Sequence, residues 1–153
     1  MSKSTLPLIL GIIAIGAFVL MQVRGSQAAT PVLFDGSATT LAAALSEAGD
    51  AGRPVLAIAT ADWCPPCQSY KRDALASDRV AQIAAAKAVP IMLDVTERNG
   101  PFSADAASLG VSSIPATFLL APDGTVLAQA TGPVGESELV AMIDDAARAV
   151  SAN

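Results

Sequence analysis

Cys64 and Cys67 are the only two cysteines in the chain, and they lie three positions apart. On a helix that spacing brings both side chains to one face, close enough for a disulfide to open and close without unfolding. No other cysteine exists to form a separate structural disulfide, so any thiol chemistry belongs to this pair. Histidine is absent, which excludes Ser/His and Cys/His catalysis and any zinc site built on imidazole. A purely structural staple gains little here, because closing so short a loop removes little entropy from the unfolded chain. Cu(I) accepts two thiolates and is the rival chemistry. Two readings therefore stand: disulfide exchange, and Cu(I) binding or copper-site assembly by the same two sulfurs. Disulfide exchange needs no resident metal or cofactor.

The elements around the pair follow from patterning. Pro54 opens Val55–Ala59, a continuous apolar run whose length and β-branching suit a strand buried on both faces. The run leads straight to the cysteines, and a helix is expected from Cys64 through Tyr70 towards Leu75. That junction places the first sulfur at a helix N-terminus, where unpaired N–H groups and the dipole favour a thiolate. Pro65 and Pro66 fall in the first turn, where a missing N–H costs no intrahelical bond. Upstream, Leu41, Ala44, Leu45 and Ala48 recur at helical spacing, and Gly49 and Gly52 supply the stop. Downstream, Ser77 caps a helix carrying Val80, Ile83 and Ala84 on one face. Val89–Val95 reads as the next buried strand, and Ser103–Leu109 as a short helix closed by Gly110. Ala116–Ala121 and Thr125–Ala130 flank Pro122–Asp123–Gly124 as an antiparallel hairpin. A last helix begins near Glu136 and Glu138, turns Leu139, Ile143, Ala147 and Val150 inward, and carries Arg148 near its negative end. Strand, helix, strand, helix, hairpin and helix in that order imply an α/β fold, with a mixed central sheet covered by helices on both faces.

With 153 residues the chain has room for one domain with a real core. Nine basic against fourteen acidic residues give a net charge of −5, which argues against nucleic acid as a partner. From Leu6 to Met21 the sequence is uncharged and almost wholly apolar, with Lys3 before it and Arg24 after it. This is the layout of an export signal, and it reads as one N-terminal hydrophobic helix. Ser26–Gln27–Ala28 offers a small-x-small cleavage site, whereas a run extending to Val23 suits an uncleaved anchor with a single membrane span. Residues 1–29 are accordingly assigned to a signal peptide or signal anchor, and 30–153 to the folded domain. Both outcomes place the domain outside the cytoplasm, in the periplasm or its equivalent, where the compartment is oxidising.

Ala61–Asp62–Trp63–Cys64–Pro65–Pro66–Cys67, the later Ser113–Ile114–Pro115–Ala116–Thr117–Phe118, and a hairpin before a C-terminal helix together resemble the thioredoxin superfamily. More narrowly, the first motif followed by Asp94–Val95–Thr96 resembles the C-terminal thioredoxin-like domain of bacterial periplasmic thiol:disulfide interchange proteins. The likeness runs over about Ala38 to Val150. It implies a thioredoxin-like fold and a thiol-disulfide oxidoreductase in which Cys64 attacks a substrate disulfide and Cys67 resolves the mixed disulfide. It further implies a cis Ile114–Pro115 bond beside the sulfurs, with Ile114 pairing through its main chain with a bound polypeptide and Trp63 and Pro115 on the same surface. Disulfide-containing exported proteins would be the substrates and a membrane protein the electron donor. Relatives place a buried acid six residues before the first cysteine to deprotonate the second; here that position is Ile58. Asp62, Asp94 and Glu97 are the remaining acids, of which Asp94, at a strand end, is taken as the nearest proton acceptor. Strong oxidants of the superfamily use a histidine between the cysteines. Pro65 and Pro66 offer the sulfur neither that nor an N–H, which points to a reductase.

Overall fold

The computed structural model describes residues 5–25 and 27–152, and within the first helix it describes side chains for 9–19 and 21. That helix, α1, spans Thr5–Gly25. Its described large apolar side chains, Ile9 to Met21, are exposed. Among the described residues no helix is long and apolar enough to cross a membrane. The signal-or-anchor expectation also rests on Lys3 and Ser26, which lie outside the described residues.

From Pro31 onward the chain winds into one α/β body. A 3-10 turn at Val32–Phe34 tucks Leu33 and Phe34 into the core, a contribution the sequence pattern did not expose. α2 (Leu41–Ala51) starts at Thr40, whose hydroxyl accepts the Ala43 N–H at 3.1 Å, and stops at Gly52, which adopts φ +60°. This left-handed stop is what glycine supplies without a Cβ clash. β1 (Val55–Thr60) is buried throughout, as its continuous apolar run requires. α3 (Pro65–Arg72) is shorter than expected: the chain leaves helical geometry at Asp73 and makes a separate 3-10 turn at Ala74–Ala76. α4 (Asp78–Lys87) follows under the Ser77 cap. Then come β2 (Val89–Asp94), α5 (Ser103–Ser108), β3 (Ala116–Leu120), β4 (Val126–Thr131) and α6 (Glu136–Ser151).

The four strands form one mixed sheet in the order β2-β1-β3-β4. β1 runs parallel to β2 and antiparallel to β3, and β3 and β4 form the expected hairpin. One expectation needs correction. β2 is an edge strand whose residues alternate between buried and half-buried, and an edge is where Pro90, with no N–H to donate, is tolerated. Alternate residues of β1 divide the core. Leu56 and Ile58 meet Tyr70 of α3, Val80 of α4 and Leu139 and Ile143 of α6. Val55, Ala57 and Ala59 meet Leu41, Ala44 and Ala48 of α2, with Leu93 and Phe118. Helices thus cover both faces, as the element order implied. The inward stripe of α6 is wider than a single helical row, because α6 packs on α4 as well as on the sheet. Val140 and Ala146 are buried with Leu139 and Ile143, while Ala147 and Val150 are half-buried.

Candidate active site

The end of β1 and the start of α3 create the site. After Thr60 the chain turns through Ala61–Trp63, and Cys64 becomes the N-cap of α3. Its Sγ accepts the Cys67 N–H at 3.2 Å, and its carbonyl accepts the Gln68 N–H at 3.1 Å. Pro65 and Pro66 occupy the first helical positions, where no N–H is missed. The sulfurs form a disulfide with Cα atoms 5.2 Å apart. Both cysteines are buried, packed with Ala61, Val95 and Ile114. A thiolate formed at Cys64 on reduction would sit at the positive end of α3 with one amide donor already aimed at it. The prolines withhold their own amides as expected, but the Cys67 N–H replaces them; reading the sequence by the two prolines alone missed this donor.

The second wall comes from the loop before β3. The Ile114–Pro115 peptide bond is cis, and the Ile114 carbonyl oxygen lies 3.8 Å from Cys64 Sγ. The Pro115 carbonyl accepts the Gly132 N–H at 2.8 Å, tying this loop to the end of β4. The main-chain N–H and C=O of Ile114 make no backbone hydrogen bond among the described residues.

The third wall is the segment after β2, and Thr96 organises it. The Thr96 hydroxyl accepts the Asp62 N–H at 2.9 Å, and its carbonyl accepts Trp63 Nε1–H at 3.1 Å. Trp63 consequently stands 64% exposed beside the sulfurs instead of entering the core. Asp94 sits opposite Thr60 at the end of β2, and its Oδ1 accepts both the Thr96 N–H and the Thr96 hydroxyl. Its visible work is therefore to orient Thr96, and among the described residues it makes no hydrogen bond to either sulfur. Ile58, at the position where an acid was missed, is fully buried in the apolar cluster with Tyr70 and Leu75.

Sequence reasoning overlooked three polar residues that the fold buries here. Gln68 donates to the carbonyls of Ala61 (3.2 Å) and Asp62 (3.3 Å) and accepts the Ala28 N–H at 2.6 Å. It thereby holds the cysteine loop and the incoming N-terminal segment together. Lys71, its side chain 3% exposed, pairs with Asp62 at 3.5 Å. Helical spacing carried a signal for Lys71, which stands four residues after Cys67 on the face that must be buried. Thr60 ends β1 with a buried hydroxyl that has no hydrogen-bond partner among the described residues. Farther in, Tyr70 Oη and Thr117 Oγ1 share a hydrogen bond of 3.0 Å. Burial pushes the Tyr70 phenol up to about 12, against the smaller opposing effect of that bond.

Two grooves flank Trp63. One, of about 540 Å³, is bordered by Asp62, Gln68, Arg72 and Thr96. The other, of about 320 Å³, is bordered by Val95, Arg98, Val111 and Ile114. Nothing in the site favours the copper alternative, since the two sulfurs are bonded to each other.

Comparison with known proteins agrees with this geometry. A family model described as thioredoxin-like matches residues 37–122. No curated protein matches the chain. Among solved structures, the oxidised C-terminal domain of DsbD from Neisseria meningitidis superposes with a TM-score of 0.59 at 22% identity, over 67% of this chain and 89% of that one. A DsbH oxidoreductase gives 0.64 at 20% identity, over 80% and 88%. A thioredoxin from Thermus thermophilus gives 0.58 at 20%, over 78% and 85%. These likenesses speak for the fold. With the family match, the Cys64–Cys67 disulfide at a helix N-terminus and the adjacent cis-proline loop, the chain belongs to the thioredoxin-like family and is a thiol-disulfide oxidoreductase.

Proposed function

We propose that this chain acts outside the cytoplasmic membrane as a reductase of disulfides in exported proteins. The observation that carries the polypeptide reading is Ile114. Its main-chain groups make no backbone hydrogen bond among the described residues, and its carbonyl lies 3.8 Å from Cys64 Sγ; an open backbone edge of that kind receives an extended peptide as an added strand. Trp63 and Pro115 border the same strip.

The chemistry balances within the pair. The Cys64 thiolate attacks one sulfur of the substrate disulfide, a mixed disulfide forms, and the other substrate sulfur leaves as a thiolate that takes up a proton. The Cys67 thiolate then attacks Cys64 Sγ, releasing the second substrate thiol and leaving the Cys64–Cys67 disulfide. Two electrons have passed to the substrate. A membrane electron donor recharges the dithiol, and Asp94 takes the Cys67 proton. Normal exchange rates in Asp94→Asn would remove Asp94 from that role.

The Leu6–Met21 run supports export, since its described large apolar side chains, between Ile9 and Met21, are exposed. The mass and membrane partition of the mature protein distinguish cleavage at Ala28 from anchoring. Direction is tested by the reduction potential of the Cys64/Cys67 couple in dithiol buffers. A value near or below about −230 mV identifies a donor, and one near about −120 mV identifies an oxidant and overturns the proposal.

A further inference from the structure

The smaller groove beside Trp63 holds an unclaimed charge. Arg98 is the one charged residue bordering it; the remainder is Trp63, Val95, Val111 and Ile114 with small and hydroxyl side chains. Its guanidinium makes no ion pair or hydrogen bond among the described residues. Asp62 is engaged with Lys71, Asp94 with Thr96 and Asp105 with the Leu41 N–H, and the exposed Glu97 carboxylate makes no ion pair with Arg98 among the described residues. The turn that presents Arg98 is fixed. The Glu97 carbonyl accepts both the Gly100 N–H (3.0 Å) and the Ser103 hydroxyl (3.0 Å), and the Gly100 carbonyl accepts the Ser103 N–H (3.1 Å). Two residues earlier, Thr96 is tied to Asp62 and Trp63. Arg98 is therefore held in register with the cysteine loop, at the rim of a groove whose floor reaches Ile114 and, through it, Cys64.

We propose that this groove selects disulfide substrates whose reacting cysteine is followed or preceded closely by an Asp or Glu, with an apolar side chain seated against Val95, Val111 and Ile114. The inference rests on the reading that the substrate is a polypeptide. In a chain with net charge −5, an acidic substrate is repelled at long range, so a preference for it has to come from this local cation.

The test uses the purified, reduced chain and peptides carrying one intramolecular disulfide, with Asp, Asn or Lys substituted in turn at each position flanking the reacting cysteine. Hydroxyethyl disulfide serves as an uncharged small substrate. At one or more positions the Asp peptide should react about threefold faster than Asn and the Lys peptide about threefold slower, the size expected of an exposed ion pair. Arg98→Glu should invert that order without changing the rate on hydroxyethyl disulfide, and 1 M salt should flatten it. Arg79→Glu, an equal change of net charge on α4, should leave the order as it is. If Arg98→Glu keeps the wild-type order, or Arg79→Glu shifts it equally, the assignment of Arg98 is overturned while the polypeptide reading stands. If hydroxyethyl disulfide reacts and no peptide does, the polypeptide reading falls and this inference with it.

Discussion

The two ends of the sheet treat polar groups in opposite ways. At the cysteine end they are buried or half-buried and shared: half-buried Thr96 serves Asp62, Trp63 and Asp94 at once, and buried Gln68 bridges three backbone groups. At the far end, a groove of about 590 Å³ runs between the tails of α4 and α6, similar in size to the larger groove at the cysteines, of about 540 Å³. Its charges are spent on one another or on the backbone. Lys87 pairs with Asp144 at 2.8 Å, Arg148 pairs with Asp145, and Arg53 donates to the Ala85 carbonyl at 2.9 Å. The contrast teaches that groove size is no guide to chemistry here. What marks the working end is polar groups taken out of water and fixed around an exposed indole and a pair of sulfurs.

That contrast can be broken by mutation, most severely at the sulfurs. Cys67→Ser should abolish turnover and accumulate a Cys64-linked mixed disulfide, read on a non-reducing gel, with little change in the stability of the reduced fold. Next in size, Gln68→Ala removes the amide donor from the Ala61 carbonyl, which keeps the Cys64 N–H, and from the half-buried Asp62 carbonyl, and should cost about 1 to 2 kcal/mol in chemical denaturation. It should also loosen the Ala28 segment, read as faster amide exchange there.

A pH test follows from Tyr70. Its phenol is raised from about 10 to about 12 by burial, so the folded state holds that proton more tightly than the unfolded chain does. Stability should be fully present below pH 10 and decline as pH rises towards 12. Between pH 9 and pH 11 this group should account for about 1 kcal/mol, and Tyr70→Phe should flatten that part of the profile in urea titrations.

Thr60→Val carries the opposite sign. Replacing an unpartnered buried hydroxyl with a methyl of similar shape should raise stability by about 1 kcal/mol. The smallest effect belongs to the far end, where Lys87→Ala breaks a partly exposed pair and should change stability by less than about 0.5 kcal/mol, with exchange rates untouched. A large loss of activity there would erase the distinction between the two ends.

How much of this was legible beforehand depended on the range of the interactions. The strand feeding the cysteines, the Ser77 cap, the glycine stop at Gly52 and the hairpin at Pro122–Gly124 are local, and spacing exposes them. At the hairpin, Asp123 accepts the Thr125 N–H at 2.9 Å, which holds its carboxyl below the usual range. The family resemblance extended the reading to a cis bond at Ile114–Pro115, and the bond is cis. Patterning failed where neighbours decide. Nothing in Val89–Val95 says that β2 is the edge of the sheet among the described residues, and nothing in Val32–Phe34 says that the turn packs into the core.

The sequence by itself determined the chemistry available to this protein: two sulfurs three apart, no imidazole, and a strand-to-helix junction that puts the first sulfur at a helix N-terminus. Those properties depend on residue type and on contacts a few positions long. Only the tertiary structure decided what surrounds the sulfurs. The Ile114 carbonyl is fifty residues from Cys64 in sequence and 3.8 Å from it in space, and Thr96 reaches Asp62 and Trp63 across more than thirty residues. The physical reason is the sheet order: β1 lies between β2 and β3, so the segments that follow β2 and precede β3 converge on the end of β1, where the cysteines are.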